Sequence, residues 1–358
     1  MEAQITRFGS SLPVPCVQEL AKDTASTVPP RYVRPDQDPP FISDSTALPQ
    51  LPVIDMHLLF SQDFMDSELQ KLHLASKQWG FFQLINHGVS SFLLEKVKSG
   101  IQELFNMDME EKKKYWQGER EGNVEGFGQS FVVSEEQKLD WSDMFFLITL
   151  PTYLRKPHLF PQLPLPLRDN LEAYSAELKN LAMKILDQMA KALRMETNDM
   201  RCLFEEGLQA MRMNYYPPCP QPELVIGINP HSDAVGLTIL LQLNEIEGLQ
   251  IRKDGMWIPI KPLPNAFIVN IGDILEIVTN GIYRSIEHRA TVNSEKERLS
   301  IATFLSPRLE GDFGPAPSLL NTESPALFKR IRVADYLKGL FSRKLDGKSY
   351  VDAMRIQK

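Results

Sequence analysis

Residues 209–307 alternate apolar and polar side chains with a period of two, the pattern of β-strands that bury one face. Turn residues separate the runs. The clearest turn is Lys253-Asp254-Gly255, where Asp-Gly supplies the positive φ of a tight hairpin. The eight predicted strands are 211–216, 236–242, 249–253, 256–261, 266–271, 274–280, 285–292 and 298–306. So many short strands in one block predict a double-stranded β-helix, a jelly roll of the cupin type.

Helical patterns flank this block, so the predicted fold is mixed α/β with a jelly-roll core and flanking α-helices. Apolar residues recur at intervals of three and four between 167 and 193, which predicts a long helix packed on a sheet. The other predicted elements are a short helix at 17–22, strands at 51–55 and 80–85, and helices at 66–78, 89–107 and 109–116.

We expect four regions along the chain. Residues 1–50 are rich in Pro, Ser and Asp and are predicted to form an extended arm. Residues 51–207 form a mainly helical region, 208–310 the jelly-roll core and 311–358 a C-terminal helical segment. Within the second region, 118–150 is punctuated by glycines and aromatic residues, which is typical of an irregular stretch that covers a pocket.

His231 and Asp233 are two residues apart, so on an extended chain their side chains project from the same face. His288 follows after 54 intervening residues, enough for several strands to leave and return to the same rim. Two imidazoles and one carboxylate on one side of a metal, with the other side open, suit iron(II) in oxygen-activating chemistry. The sequence therefore predicts a metal site at these three residues.

Arg298 begins an otherwise apolar strand, where an inward-facing charge would cost several kcal/mol without a partner. An anionic ligand would supply that partner, and the planar guanidinium holds a carboxylate through two hydrogen bonds. By strand parity Ser300, Ala302 and Phe304 face the same side as Arg298. Asn214 and Tyr216 form a similar same-face pair upstream of the histidine.

Composition limits the partners. The net charge of −7 and pI of about 5.5 provide no basic surface for nucleic acid or an anionic membrane. The apolar runs are too short to cross a bilayer, and the three cysteines match neither a zinc site nor a disulfide framework. We expect a cytoplasmic monomer that binds a small molecule.

Taken together, these motifs resemble those of the plant iron(II)/2-oxoglutarate-dependent dioxygenases, from about Leu51 onward. The arm and three further stretches, 124–129, 154–158 and 344–349, resemble the senescence-related-gene-like branch, which includes the poppy codeine and thebaine O-demethylases. The motifs are His231-x-Asp233…His288, Arg298-x-Ser300, Asn214-Tyr215-Tyr216-Pro217-Pro218-Cys219-Pro220, Trp79-Gly80-Phe81-Phe82 and Asn86-His87-Gly88-Val89.

The resemblance implies that His231, Asp233 and His288 are iron ligands. It also implies that Arg298 and Ser300 hold the distal carboxylate of 2-oxoglutarate, with Tyr216 and Asn214 completing that site. The implied reaction consumes dioxygen and 2-oxoglutarate, releases succinate and carbon dioxide, and oxidises a substrate carbon, with ascorbate as the reductant that maintains the iron.

The substrate is less constrained. Phe304, by strand parity, and Phe127, in the glycine-flanked loop, are the candidate residues of an aromatic substrate pocket, and ordinary core packing is the alternative for each. A small aromatic specialised metabolite fits, through either O-demethylation or hydroxylation. Two alternatives stay open at this point: a flavonoid- or hormone-directed hydroxylase on the same fold, and a jelly-roll protein that senses a ligand without turnover.

Overall fold

The computed structural model describes residues 11–22, 27–35, 49–117, 124–342 and 347–356. Its α-helices are α1 (Val17–Leu20), α2 (Met65–Gln78), α3 (Ser91–Asn106), α4 (Met109–Lys113), α5 (Leu165–Leu193), α6 (Thr197–Phe204), α7 (Asp273–Val278), α8 (Val333–Phe341) and α9 (Ser349–Ala353). Single 3₁₀ turns occur at Leu58–Phe60, Thr152–Leu154, Phe160–Gln162, Pro222–Leu224 and Pro317–Leu319.

The strands are β1 (Val53–Asp55), β2 (Phe81–Ile85), β3 (Gly126–Gly128), β4 (Asp143–Leu150), β5 (Leu208–Tyr216), β6 (Ile228–His231), β7 (Leu237–Gln242), β8 (Leu249–Lys253), β9 (Met256–Pro259), β10 (Phe267–Ile271), β11 (His288–Ala290), β12 (Arg298–Ser306), β13 (Asp312–Phe313) and β14 (Ile331–Arg332).

Two sheets form the jelly roll. The larger has the order β1-β2-β10-β7-β12-β5-β4-β3 and the smaller β6-β11-β8-β9, while β13 pairs with β14. Adjacent strands are antiparallel, apart from the parallel pair β1 and β2. The predicted mixed α/β fold with a jelly-roll core and flanking helices is confirmed. The predicted hairpin is also present between β8 and β9, with positive φ at Asp254 and Gly255.

The period of two along the larger sheet separates its faces. On β12, Leu299, Ile301 and Leu305 join the main apolar core together with buried residues of α2, α3 and α5. The alternate residues of the same strand, from Arg298 to Ser306, line a cavity on the opposite face. Helices α2, α3 and α5 therefore cover one face of the sheet, and the other face borders the cavity, which α8 also lines.

The prediction of an irregular stretch at 118–150 is wrong for its last part. Residues 143–150 form β4, which pairs along nearly its whole length with β5. The sequence of this strand is almost continuously apolar because both of its faces are covered, so the alternation that marks a half-exposed strand is absent.

The prediction of a strand at 274–280 is also wrong, since these residues contribute to helix α7. The backbone amides of Asp273 and Ile274 donate to the carbonyls of Asp233 and Val235, which fixes the first turn. Asn280 and Gly281 adopt positive φ just beyond the helix and end it. The β-branched residues that suggested a strand are all buried, so tertiary packing overrides local propensity here.

The described part of the arm is tied to the larger sheet. Asp143, the first residue of β4, accepts hydrogen bonds from the amides of Val17 and Gln18 at 2.8 and 2.7 Å. The predicted short helix at 17–22 is observed as α1. Residues 1–10, 23–26 and 36–48 of the predicted arm, and residues 344–346 of one branch-like motif, lie outside the described residues. Among the helices described, none is long and apolar enough to span a membrane.

Candidate metal and cosubstrate site

The structure brings His231, Asp233 and His288 together. His231 ends β6 and His288 begins β11, and the two residues face each other across the antiparallel pair. Asp233 follows two residues after β6. Its Oδ1 lies 3.6 Å from His231 Nε2 and 3.7 Å from His288 Nε2. One possible ligand atom from each residue lies within 4.8 Å of the others, so a single ion can contact all three.

Neighbouring groups orient these three side chains. His231 Nδ1 lies 2.6 Å from the carbonyl oxygen of Asn229, and His288 Nδ1 lies 3.2 Å from that of Ile286. A proton on each Nδ1 leaves the Nε2 lone pair available to a metal. Asp233 Oδ2 accepts hydrogen bonds from Thr238 Oγ1 at 2.7 Å and Asn270 Nδ2 at 2.8 Å. Its Oδ1 is left facing the histidines.

The protonation states suit a cation. Burial alone would raise the pKa of Asp233, but His288, His231 and the hydrogen bond from Asn270 outweigh it and hold that pKa well below its ordinary value. Burial and the neighbouring His231 lower the pKa of His288 to about 4. Near neutral pH the site therefore offers a carboxylate and a neutral imidazole at these two positions, which is what metal ligation requires.

Residues close to the C-terminus support the segment that carries His231 and Asp233. The amide of Ser232 donates to the carbonyl of Gly347 at 3.1 Å, and the amide of Gly347 donates to Pro230 at 3.2 Å. The Ser232 hydroxyl also donates to Asp273 Oδ2 at 3.1 Å. Burial raises the pKa of the Asp273 carboxyl to about 7. The loop between β6 and β7 is thus fixed from two sides.

Arg298 and Ser300 lie farther along the same face of the larger sheet. Arg298 is the register partner of Tyr216, and its guanidinium lies 5.0 Å from the centre of the tyrosine ring. The next row on that face pairs Ser300 with Asn214, whose Nδ2 is 3.4 Å from Ser300 Oγ. The strand parity predicted for these four residues is therefore observed.

Arg298 is 3% exposed, and among the described residues its guanidinium hydrogen-bonds to an uncharged partner, Gln242 Oε1 at 3.0 Å. Its Nε has no hydrogen-bond partner within the described part of the chain. Burial lowers the pKa of Arg298. A buried cation with unused donors is stabilised strongly by a carboxylate. The residues present thus fit the distal carboxylate of a dicarboxylic acid.

A cavity of about 170 Å³ joins the two ends of this face. By the same measure one water molecule needs only about 10–15 Å³, so the space suits an organic molecule. Its polar wall holds the three metal-capable residues, Arg298, Ser300, Asn214 and Tyr216. The remaining wall is largely apolar and aromatic, with Phe304, Phe146, Phe131, Phe341, Ile148 and Leu337.

Of the two phenylalanines predicted to line the substrate pocket, Phe304 lies on the cavity wall and Phe127 does not. Phe127 is 2% exposed and packs in the core, 4.7 Å from the ring of Phe145 and 5.7 Å from that of Phe105. On β3 the flanking Gly126 and Gly128 have the opposite parity, so the phenylalanine faces the helices. The structure therefore favours ordinary core packing for Phe127, and a substrate contact of Phe127 stays an untested prediction.

Several residues of the site escaped the sequence interpretation. Thr238 and Asn270 are polar residues inside apolar strands, which is a usable signal of an inward-facing polar group. Phe131 and Phe341, by contrast, come from segments far apart in sequence, and their rings stack with centroids 5.2 Å apart. No local sequence pattern predicts this contact, because it depends on where α8 packs.

The donor set fits the metal that the sequence predicts. Two imidazole nitrogens and one carboxylate oxygen on a single side match the ligand set of oxygen-activating non-haem iron(II), which keeps positions open for other ligands. The polar end of the cavity adjoins these three residues.

Two family models match the chain. That of the 2OG-Fe(II) oxygenase superfamily matches residues 207–307, and that of the non-haem dioxygenase in morphine synthesis N-terminal region matches residues 51–163. The chain belongs to the 2OG-Fe(II) oxygenase superfamily and is a 2-oxoglutarate-dependent dioxygenase.

Within that superfamily the chain lies in the senescence-related-gene-like branch of plant dioxygenases, as predicted. It is 60% identical to the oxoglutarate-dependent flavonoid 7-O-demethylase 1 of Ocimum basilicum, covering 99% of this chain and 94% of that one. Protein SRG1 of Arabidopsis thaliana is 59% identical, and the match covers 99% of this chain and 100% of that one. Codeine O-demethylase of Papaver somniferum is 55% identical, and the match covers 98% of this chain and 99% of that one.

A solved structure agrees with the fold. The crystal structure of JOX2 in complex with 2OG, Fe, and JA superposes with a TM-score of 0.88 at 35% sequence identity, covering 97% of this chain and 99% of that one.

Proposed function

We propose that His231, Asp233 and His288 hold the catalytic iron(II) of this dioxygenase. The observation that carries the proposal is the convergence of both histidine Nε2 atoms on Asp233 Oδ1, at 3.6 and 3.7 Å, on the wall of a cavity large enough for an organic molecule. When bound, the iron supplies activation of dioxygen at the expense of 2-oxoglutarate, with release of succinate and carbon dioxide.

Arg298 and Ser300 bind the distal carboxylate of 2-oxoglutarate, and Tyr216 and Asn214 complete that site. The buried guanidinium and its unpaired Nε support this role. Tyr216 holds the guanidinium from one side through its ring, and Asn214 bonds to the serine hydroxyl. These four residues orient the cosubstrate toward the metal face, while the apolar wall excludes water from it.

The substrate is a small aromatic specialised metabolite, and the reaction removes an O-methyl group or adds a hydroxyl group. The phenylalanines of the cavity support a flat ring system. The O-demethylation that gives the flavonoid 7-O-demethylase and the codeine O-demethylase their names supports a methoxy carbon as the point of attack. A hydroxylase directed at a flavonoid or hormone is the alternative, since a different carbon facing the metal gives that outcome.

Further properties complete the proposal. The enzyme uses ascorbate to keep its iron reduced, works as a cytoplasmic monomer, and binds neither nucleic acid nor membrane, as the net charge of −7 supports. The four regions 1–50, 51–207, 208–310 and 311–358 remain the proposed division of the chain. Strands β1–β4, from the second region, belong to the larger sheet together with β5, β7, β10 and β12 of the third.

The test is an incubation with iron(II), ascorbate and 2-oxoglutarate against methoxylated flavonoids, coumarins and alkaloids, in which succinate, formaldehyde and product mass are read together. Succinate and formaldehyde in equal amounts, with loss of one methylene unit, identify O-demethylation. Succinate with one added oxygen identifies hydroxylation. Absence of substrate-dependent succinate across the whole panel would refute the proposed substrate class.

A further inference from the structure

Arg212 lies on the cavity wall between the proposed cosubstrate site and the aromatic end. On the cavity face of β5 it falls between Asn214 and Ala210, and its register partners are Ala302 on β12 and Phe146 on β4. Successive residues on one face of a strand are about 7 Å apart. Along the cavity face, the half-buried Arg212 therefore lies between the pair formed by Asn214 and Ser300 and the position of Phe304, about 7 Å along the strand direction from each.

Most of the hydrogen-bonding capacity of Arg212 is unused. Among the described residues it makes one hydrogen bond, from Nε to Asn214 Oδ1 at 2.7 Å, although a guanidinium carries five N–H groups. Asp140 interacts electrostatically with Arg212 but forms its ion pair with Arg34 instead, at 3.0 Å. The terminal nitrogens of Arg212 are thus available to a ligand.

The other charged groups on the described cavity wall are already committed. Arg289 donates from Nε to Gln250 at 2.8 Å and lies 4.3 Å from the ring centre of Trp257. Arg298 belongs to the proposed cosubstrate site, and Asp233, the carboxylate on this wall, belongs to the proposed metal site. A protonated amine would find no carboxylate there, whereas an oxygen acceptor would find Arg212.

We infer that Arg212 is a specificity-determining residue that binds an acceptor oxygen of the aromatic substrate, and that the preferred substrates carry a ring carbonyl or an acidic hydroxyl, not an ammonium group. This inference rests on the proposed function and narrows it to one chemical class. The hydrogen bond from Nε to Asn214 orients the planar guanidinium, and Arg212 lines the cavity, so its terminal nitrogens can reach an acceptor oxygen bound there.

The test compares Arg212→Gln and Arg212→Lys with the unchanged protein. The ligands are a methoxyflavone, the corresponding methoxyflavan without the ring carbonyl, and a methoxylated benzylisoquinoline with a protonated amine. Dissociation constants come from quenching of tryptophan fluorescence in metal-free protein, and that of 2-oxoglutarate is measured in the Mn(II)-loaded protein. Arg201→Gln, which removes an arginine from helix α6 outside the cavity, is the matched control.

We expect the unchanged protein to bind the methoxyflavone most tightly. Arg212→Gln weakens that binding by about tenfold to a hundredfold, as loss of a charged hydrogen bond does, while the methoxyflavan changes less than threefold. For the methoxyflavone, the dissociation constant of Arg212→Lys falls between those of the unchanged protein and Arg212→Gln. In both variants the dissociation constant of 2-oxoglutarate stays within about twofold of that of the unchanged protein.

If Arg212→Gln loses equal affinity for the methoxyflavone and the methoxyflavan, the inference is overturned and the proposed function still stands. The same holds if the unchanged protein binds the protonated amine most tightly. A larger loss for 2-oxoglutarate than for the flavone would also overturn the inference and make Arg212 a positioning residue for Asn214. The turnover panel tests the proposed function separately, because succinate release by the unchanged protein does not depend on any Arg212 variant.

Discussion

His231 and His288 lie directly opposite each other on β6 and β11, with ring centres 4.3 Å apart. Loss of either imidazole removes one of three proposed ligands but leaves the strand pairing in place. We expect His231→Ala and Asp233→Ala to lower turnover by at least about a hundredfold and to reduce iron content per chain, with an unchanged circular dichroism spectrum. His158→Ala, in a loop outside the cavity, is the control. Full activity of Asp233→Ala would remove Asp233 from the ligand set.

Arg298 provides the positive charge for the proposed distal carboxylate site. Arg298→Gln preserves much of the side-chain volume but loses the charge, so we expect the KM for 2-oxoglutarate to rise by roughly tenfold to a hundredfold. The KM for the aromatic substrate should change little, since that molecule occupies the other end of the cavity. Steady-state kinetics with each substrate varied in turn provides the check. A 2-oxoglutarate KM equal to that of Arg201→Gln would exclude Arg298 from the site.

Phe127 and Phe304 should respond differently to truncation. Phe127→Ala leaves a cavity in the core and is expected to cost about 3–5 kcal/mol of unfolding free energy. Phe304→Leu should instead alter the KM for the aromatic substrate several-fold with a smaller loss of stability, because its ring faces the ligand space. Denaturant unfolding and substrate kinetics on both variants separate the two roles. The opposite pattern would mean that Phe127 reaches the substrate.

Phe341 of α8 stacks on Phe131 with an interplanar angle of 1°, and both rings line the cavity. An aromatic pair contributes about 0.5–1.5 kcal/mol beyond its buried area. We therefore expect Phe341→Ala to raise the KM for the aromatic substrate by about twofold to tenfold, without affecting the KM for 2-oxoglutarate. Phe92→Ala is the matched control, since Phe92 is 68% exposed on α3. No change for any substrate in the panel would show that the pair lies outside the binding space.

Asp273 should make stability depend on pH. Burial raises its pKa from 3.8 to about 7, so the folded chain keeps the proton over a range in which the unfolded chain releases it. Stability therefore falls as pH rises from about 4 to about 7, by ~4 kcal/mol at most, and levels off above that. Asp273→Asn removes this loss.

Between pH 5 and pH 8, the free energy of unfolding of Asp273→Asn should rise relative to that of the unchanged protein. Urea unfolding of the two metal-free proteins measures this difference. Asp312→Asn, which removes a carboxyl at an exposed position, is the control. If the difference in unfolding free energy between Asp273→Asn and the unchanged protein does not vary with pH, the Asp273 carboxyl ionises normally in the folded state.

Sequence periodicity was sufficient to predict which residues share a face. Asn214 and Tyr216, and Arg298 and Ser300, are each two residues apart on one strand, so strand parity determines their common side. His231 and Asp233 have the same spacing, although Asp233 lies two residues beyond β6. The assignments failed where the strand itself was not predicted. In β4, Phe145 faces the core and its neighbour Phe146 the cavity, and without the strand assignment their sides could not be predicted.

Long-range packing set the rest of the site. The stacking of Phe131 on Phe341, and the bonds of Gly347 to the loop that carries Asp233, join segments more than a hundred residues apart. Helix α7 is another case, because its amides bond to backbone groups that only the folded jelly roll provides. A single sequence contains no local trace of such contacts.

The hydrogen bonds between Gly347 and the His231 segment also bear on the order of folding. Ser232 and Gly347 are 115 positions apart, so closing this contact costs chain entropy that a local contact does not. We expect the loop between β6 and β7 to gain this backbone partner late in folding, once the segment that carries Gly347 has packed. We expect iron loading to be a late event in maturation, so partly folded chains compete poorly for the metal.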